Sequence, residues 1–524
     1  MLSITQQKYI IISTVFGLNV LLCVTFGIYT QYWYAFLFAL GLCTYLNSVS
    51  VGLILGNSLF AHSLPEITSV SHPRNVLYLV PCYNETLEEL QNTLNSLTGQ
   101  YLPYNWNKSI VIVCDGRVQG TGSDTGTDII LKNILNIDSV GRLDTYNNAA
   151  GNIVNIEIHN GTYRDVQFML IIKNENQGKR DSITLIRKLA LGTTDSLHGS
   201  LTSSMIHKYD FIVGVDADTV FHPMCSYELI KKIEYEGENC KGCVGLVDIP
   251  RKWNIFVMYQ YAEYHFGQFL RRRVQSEITG KVNCLSGCNQ IIRVCEETCG
   301  DALMNRFNRL PDANENILSH IRAYASEDRN HVCLMLSMYP YVRTVQNTQA
   351  IAYTGVPESV KVFLSQRRRW TLGAISNDVL LTYLPGINFF ERCSAVVNIV
   401  TFLFNTFIAV ATGFFIHAIV TSRNMLMLYL SIPMIVPFVY SLLFIPNSRG
   451  FNVRETIYFL LSYMVYILCG VPVSIIVHTY SLLGMDTFKW GKTRQTSKIS
   501  NPIVFYLDDD PADIELTGSR ETFV

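Results

Sequence analysis

The chain has 524 residues, of which 49% are hydrophobic and only 16% charged. A soluble domain carries about a quarter charged residues, so much of this chain does not face water. Its net charge of −1 gives no basis for a nucleic-acid partner, and its 14 cysteines form no pair of Cys-x-x-Cys motifs of the zinc-site kind.

No charged residue occurs between Ile10 and Pro65. That run has room for two spans of roughly 20 residues each. They are expected near Tyr9–Tyr29 and Trp33–Leu55, joined at Thr30–Tyr32, in a membrane segment covering residues 1–65. A cleaved signal peptide is the alternative for the first span, but a second span follows it at once and no small-residue cleavage site stands out. Several cysteines lie in apolar runs (Cys23, Cys43, Cys393, Cys469), where free Cys acts as a small hydrophobe. Reduced thiols are expected.

Residues 74–353 have ordinary composition, with short apolar runs alternating with helical patterns. Val76–Val80, Ile110–Cys114, Phe168–Lys173 and Phe211–Val215 read as buried strands. This alternation predicts an α/β domain with a mostly parallel sheet and ligands at the carboxyl ends of its strands. Gly116–Asp128 reads as a loop. Three sequons, at Asn84, Asn107 and Asn160, lie in this domain and are expected to stay unglycosylated.

Trp253–Phe269 is rich in aromatic residues and is followed by Arg271-Arg272-Arg273. Residues 250–275 and 356–380 are therefore expected as amphipathic interface helices, the first with its basic end toward lipid headgroups. Three more charge-free stretches, Cys393–Ser422, Asn424–Ser448 and Thr456–Met485, put membrane helices within residues 390–485, ahead of a polar tail over 486–524. Two spans before the domain and three after it place the termini on opposite sides. Yet Lys489, Lys492, Arg494 and Lys498 belong by charge on the domain's side. The expected count is five, give or take one, with one stretch re-entrant or Thr456–Met485 bent back at Gly470–Pro472.

Polar clusters fall at four successive strand ends. Val80-Pro81-Cys82-Tyr83-Asn84-Glu85 closes the first and Cys114-Asp115-Gly116 the second; Gly178-Lys179-Arg180-Asp181 follows the third. Val215-Asp216-Ala217-Asp218 ends the fourth with two carboxylates, which suit a hard divalent cation that also holds a diphosphate. Each alone reads as a turn. Ser326-Glu327-Asp328-Arg329 offers a carboxylate base, or simply a capped helix start. In Gln366-Arg367-Arg368-Arg369-Trp370, a helix over Glu358–Ser376 puts Gln366, Arg369 and Trp370 on one face, where an indole can stack on a sugar while a guanidinium holds phosphate. A basic helix meeting anionic lipid is the alternative.

Taken in order and between membrane spans, Asp115, Asp216-x-Asp218, Glu327-Asp328 and Gln366-x-x-Arg369-Trp370 resemble the processive family 2 glycosyltransferases. Four details resemble chitin synthases in particular: the full Gln366–Trp370 motif, Asn176–Ser182, Cys284-Leu285-Ser286-Gly287-Cys288, and Trp490-Gly491-Lys492-Thr493-Arg494. Ser286 stands where that family has proline, and Lys489 replaces a usual serine.

The resemblance implies a GT-A-type α/β glycosyltransferase domain inserted between transmembrane helices of a polytopic membrane protein. It implies transfer of N-acetylglucosamine from UDP-GlcNAc to the 4-hydroxyl of a growing β-1,4 chitin chain, with Mg²⁺ or Mn²⁺ as cofactor. Asp328, Glu327 and Arg369 would be catalytic, with Asp328 the base, and Asp218 would hold the metal. Pro81, Tyr83, Glu85, Asp115 and Asp216 would bind nucleotide, Asp115 at the uridine. Lys179 and Arg369 would hold diphosphate, Gly287, Cys288, Gln366 and Trp370 would serve the acceptor sugar, and Arg367 and Trp490 would bind substrate. A plasma-membrane protein with a cytosolic catalytic domain is expected, and a homodimer is left open. The rivals are a hyaluronan synthase and, in another class, a transporter; the near absence of ionisable residues in the apolar stretches speaks against the latter.

Overall fold

The computed structural model describes residues 2–60, 72–119, 125–192, 208–422 and 425–488. Trp490, the Trp490–Arg494 motif, the rest of the tail and residues 120–124 of the expected loop lie outside the described residues.

Two long helices lead, α1 (Ile4–Ile28) and α2 (Trp33–Phe60), joined by a 3-10 turn over Thr30–Tyr32. The α/β domain then runs β1 (Asn75–Cys82), α3 (Leu87–Thr98), β2 (Asn107–Cys114), α4 (Thr127–Ile134), β3 (Arg142–Asn147), β4 (Ile153–Tyr163), β5 (Val166–Lys173) and α5 (Lys179–Leu191). It continues through β6 (Phe211–Gly214), β7 (Thr219–Phe221), α6 (Cys225–Tyr235), β8 (Cys240–Asp248), α7 (Ile255–Phe266) and β9 (Gln290–Arg293). It closes with α8 (Glu296–Cys299), α9 (Asp301–Asn308), α10 (Ile317–Ala325), α11 (Glu327–Met338) and β10 (Arg343–Thr354). Five helices follow: α12 (Val360–Tyr383), α13 (Phe389–Leu403), α14 (Asn405–Ser422), α15 (Met425–Arg449) and α16 (Val453–Leu483).

The ten strands form one mixed sheet in the order β3-β4-β5-β2-β1-β6-β9-β8-β10-β7. The parallel arrangement read from the sequence holds at the centre, β5-β2-β1-β6. Toward the flanks, β3-β4-β5, β6-β9-β8 and β10-β7 pair antiparallel. The cause is local on one side: only Arg164 and Asp165, both at positive φ (47° and 63°), separate β4 from β5, and so short a link can only reverse the chain. The central strands are buried on both faces, as parallel strands between helix layers are. Tyr78, Ile112 and Phe211 pack with Leu90 of α3 and Leu229 of α6, while Leu77, Val113 and Ile171 pack with Ile186 of α5 and Leu336 of α11.

Four helical segments are long and apolar enough to cross a membrane: Ile4–Ile28, Gly41–Leu59, Ser431–Arg449 and Val453–Leu483. The pair α13–α14 is apolar enough only when taken together and is bent by 82° at its break, the form of a broken span or of a re-entrant loop. The break therefore falls in the first C-terminal stretch, whereas α16 runs unbroken through Pro472, where a bend back was one of the two expectations. Asn19 of α1 explains why the break is tolerated. Its amide donates to Leu403 O at 2.7 Å and accepts from Phe407 N–H at 2.8 Å, so one side chain serves both freed backbone groups, as hydrocarbon demands.

Lys8 at the start of α1 and Asp486 just after α16 are paired at 2.8 Å. The two ends of the helical part therefore lie side by side, not on opposite faces as the simple count gave. Glu455 at the start of α16 pairs with Arg251 at 2.7 Å, and Gly484 at its far end lies against Arg368. Both ends of α16 thus meet α/β-domain or α12 residues.

The aromatic stretch forms α7 and the wide helical turns after it, and its rings meet α16 (Tyr261 on Tyr458, centroids 5.2 Å apart). Its basic end is largely taken up within the protein, contrary to the headgroup expectation. Arg272 donates to Ser286 Oγ at 3.0 Å, and Arg273 pairs with Glu277 at 2.6 Å and stacks on Phe444.

Candidate active site

Each central strand hands the chain to a polar turn at its carboxyl end, and these turns converge. Pro81 sits near the end of β1, and beyond it Tyr83 N–H donates to Glu85 Oε2 at 2.6 Å. Asp115 follows β2 and is 1% exposed. Its two oxygens accept the Gln177 and Gly178 amides at 3.0 and 2.7 Å, and the ammonium of the fully buried Lys173 lies 3.2 Å away. Lys173 also pairs with Asp181 at 2.7 Å and donates to Ser182 Oγ at 2.8 Å. Asp115, expected at the uridine, is thus engaged in fixing the loop that starts α5. Gly178 closes that loop at φ +92°, a backbone setting glycine adopts without cost.

Lys179, the first residue of α5, is the electrostatic centre. Its ammonium pairs with Asp216 at 2.7 Å and with Glu327 at 3.1 Å. Burial works against its charge, but Asp216, Asp328 and Glu327 outweigh it and hold the ammonium well above its ordinary value. Glu327 and Asp328 open α11 after Ser326, which occupies the cap position yet makes no capping bond. Asp328 Oδ2 accepts the Gly287 N–H at 2.9 Å, and its Oδ1 is buried without a hydrogen-bond partner. A side chain at 287 would force its neighbours to shift, since a Cβ there would lie 2.8 Å from both Asp328 oxygens and 2.9 Å from Lys179 Nζ.

The two neighbouring carboxyls are driven apart. Burial, helped by Glu327 and Asp216, pushes Asp328 up to about 7 against the pull of Lys179 and the Gly287 amide. Burial opposes Glu327 too, but Lys179, a helix-start amide and Arg369 win and hold it well below the usual carboxylate range. Such a split is what an acid–base site needs. Burial also pushes the Cys288 thiol up, keeping it neutral beside Asp216 and Asp328.

On α12, Gln366 Oε1 and Arg369 Nε are buried without hydrogen-bond partners, leaving an acceptor and a donor for a ligand. Trp370 is 43% exposed, with the Tyr264 ring 5.9 Å from it. Arg367 does not share that face. It is buried, donates to Glu263 at 2.6 Å and stacks its guanidinium 4.3 Å from the Trp370 ring centre, so it supports the indole from below. Glu263 and Lys173 escaped the sequence reading, whereas Tyr264 belongs to the aromatic stretch for which a sugar-stacking wall is the alternative. The one signal for Lys173 was a lysine closing an otherwise apolar strand.

Among the described residues, no group of three His, Cys, Asp or Glu side chains is arranged to hold a metal by itself. Asp216 and Asp218, one residue apart beyond β6, offer carboxylates for a partial shell. That is how Mg²⁺ is usually held, with substrate phosphates completing the set.

A strand-end Asp-x-Asp, a lysine at a helix start and a buried carboxyl on a second helix, in an α/β domain set among membrane-length helices, define a GT-A-type glycosyltransferase of the membrane. The sequence matches the family model described as chitin synthase over residues 53–153 and 160–504. It is 33% identical over 525 residues to chitin synthase 8 of Gibberella zeae, covering 93% of this chain and 78% of that one. It is 31% identical over 461 residues to chitin synthase 8 of Verticillium dahliae, covering 79% and 75%. Among solved structures it is similar to a mannosyltransferase of Pyrobaculum calidifontis in complex with GDP-Man and Mn²⁺, at 12% identity and TM-score 0.42, covering 84% of this chain and 99% of that one. The chain belongs to the chitin synthase family.

Proposed function

We propose that the protein transfers N-acetylglucosamine from UDP-N-acetylglucosamine to the 4-hydroxyl of a growing β-1,4 chain, with inversion, and passes the polymer across the membrane. The observation that supports this most is Asp328. It is a buried carboxyl titrating near neutrality, anchored by the Gly287 amide and neighboured by the Lys179–Asp216 pair. A base working at neutral pH needs that value.

Asp328 accepts the proton of the acceptor hydroxyl as its oxygen attacks the anomeric carbon and the bond to the diphosphate breaks. Negative charge then gathers on the leaving phosphate, where Lys179 and Arg369 stabilise it; that electrostatic term is the largest. Glu327 keeps Lys179 placed. The Asp216–Asp218 donor set fits Mg²⁺ or Mn²⁺ held chiefly by Asp218, which when bound would neutralise diphosphate charge. Pro81, Tyr83, Glu85 and Asp216 serve the nucleotide, and Asp115 serves it through the loop it fixes. Gln366, Gly287, Cys288 and Trp370 receive the acceptor sugar, with Arg367 as the support of Trp370. A nucleotide-sugar donor puts the α/β domain in the cytosol, and the plasma membrane is the expected site.

The deciding experiment supplies radiolabelled UDP-N-acetylglucosamine with Mg²⁺ or Mn²⁺ and digests the insoluble product with chitinase. Product that resists chitinase, or that forms only when UDP-glucuronate is added, rejects this reading.

A further inference from the structure

A small cavity beside the base shares Pro81, Lys179, Gly287 and Asp328 with the steps above, but Arg187 and Gln290, which also line it, take no part in them. It is lined by Lys179 and Asp328, by Ile183 and Ile212 from the core, and by Arg187, two turns along α5 from Lys179. Its free space of about 10 Å³ admits one water molecule. Two hydrogen-bonding groups without partners line it from opposite sides of the charge balance. Arg187 is 4% exposed and its Nε and Nη1 are buried with no partner; Asp328 Oδ1 is in the same condition.

The neighbours do not supply what is missing. Arg180 spends its guanidinium on Phe307 O, Asn330 Oδ1 and Arg322 O. His331 bonds Thr298 O at 2.9 Å, and burial keeps it neutral. The Cys299 thiol is likewise kept neutral by burial. Around Asp328, Lys179 is committed to Asp216 and Glu327. A buried cation and a buried carboxylate oxygen left unbonded are costly. The species that cures both must accept from a guanidinium and donate to a carboxylate. An anion would be repelled by Asp328, whereas water does both.

We propose that Arg187 is a positioning residue for the base, acting through one buried water that accepts from its guanidinium and donates to Oδ1 of Asp328. This rests on Asp328 being the base. With Oδ2 on the Gly287 amide and Oδ1 on the water, the carboxylate is held at both oxygens, and the charge behind the water favours its ionised form.

The test is UDP release by the full-length protein in lipid or detergent, with kcat and KM for UDP-N-acetylglucosamine followed across pH. Arg187→Gln should move the acid limb of kcat upward by about one pH unit with KM unchanged, and Arg187→Lys should leave the limb near its original place. Ile183→Phe, which fills the cavity with Arg187 intact, should give the same upward shift. An unshifted limb in Ile183→Phe overturns the bridging water even if Arg187→Gln does not fold, and a rise in KM alone overturns the positioning role. Asp328→Asn is run alongside. If it still transfers sugar, the base assignment itself fails; if it is inactive while the limb stays put in the other variants, only the role of Arg187 fails.

Discussion

The Arg367 guanidinium lies 4.3 Å from the centre of the Trp370 ring and is held there by Glu263 at 2.6 Å. A residue read from the sequence as touching substrate is thus the underside of Trp370, the residue proposed to receive the acceptor sugar. Stacking of this kind contributes about 0.5–2 kcal/mol, and its larger effect is to fix the plane of the indole. Arg367→Lys keeps the charge but loses the flat stack. It should slow elongation roughly tenfold, about 1.4 kcal/mol, and shorten the product, with KM for the nucleotide sugar unchanged. Product of normal length from that variant would count against an acceptor role for Trp370.

A side chain at Gly287 is accommodated only if Asp328 and Lys179 shift, because a Cβ would sit 2.8 Å from both oxygens of Asp328. Gly287→Ala should therefore displace the base by some tenths of an ångström and lower kcat by about 100-fold, with the protein still folded and still binding UDP. Calorimetric UDP titration beside the rate assay separates the two.

Asp328, with its carboxyl pushed up to about 7 by burial and its acidic neighbours, makes a signed prediction about stability. An unfolded aspartate titrates near 3.9, about three units lower. The folded state therefore binds the extra proton between those values, and this group's contribution is full below the unfolded value and lost as pH rises through about 7. Asp328→Asn removes that loss. Its Tm relative to the parent should rise with pH and level off above neutrality, while sugar transfer disappears. A difference that shrinks as pH rises would refute the assignment of burial as the cause.

Asn19 serves both backbone groups at the α13–α14 break. Asn19→Leu leaves a carbonyl and an amide unpaired, at about 1–3 kcal/mol each. Thermal unfolding in detergent should shift down by several degrees, with UDP affinity preserved because the site lies elsewhere.

Chelation should stop transfer if Asp216 and Asp218 provide only part of a metal shell. Asp218→Asn should then raise the Mg²⁺ or Mn²⁺ concentration needed for half-maximal rate at least tenfold. Full activity in EDTA would remove the metal from the reaction.

Much of this was legible in advance because it depends on local pattern. The strands ending at Cys82, Cys114 and Lys173 are apolar runs stopped by polar residues, and the clusters that follow them are close in sequence to the strands that place them. The misread parts depend on contacts between distant segments. The β4–β5 hairpin turns on Arg164-Asp165, with no glycine or proline to mark it. The elbow after Leu403 lies in a charge-free run and becomes acceptable only because an asparagine from α1 reaches it. Asp115 looked free to meet a ligand because its partner Lys173 is an unremarkable strand residue until the sheet is assembled. Arg272 and Arg273 looked like headgroup anchors because Ser286, Glu277 and Phe444 come to them from other turns and helices.

The clasp of Lys8 on Asp486 has a neighbour, since Gln7 accepts the Ile317 N–H at 2.9 Å where α10 begins, and α10 ends at the residue before Ser326. An affinity tag or fluorescent fusion placed ahead of Ser3 would consequently sit one short helix from the Glu327-Asp328 pair that opens α11. Such a handle belongs elsewhere on the chain, and activity measured with a leading fusion should be checked after its removal.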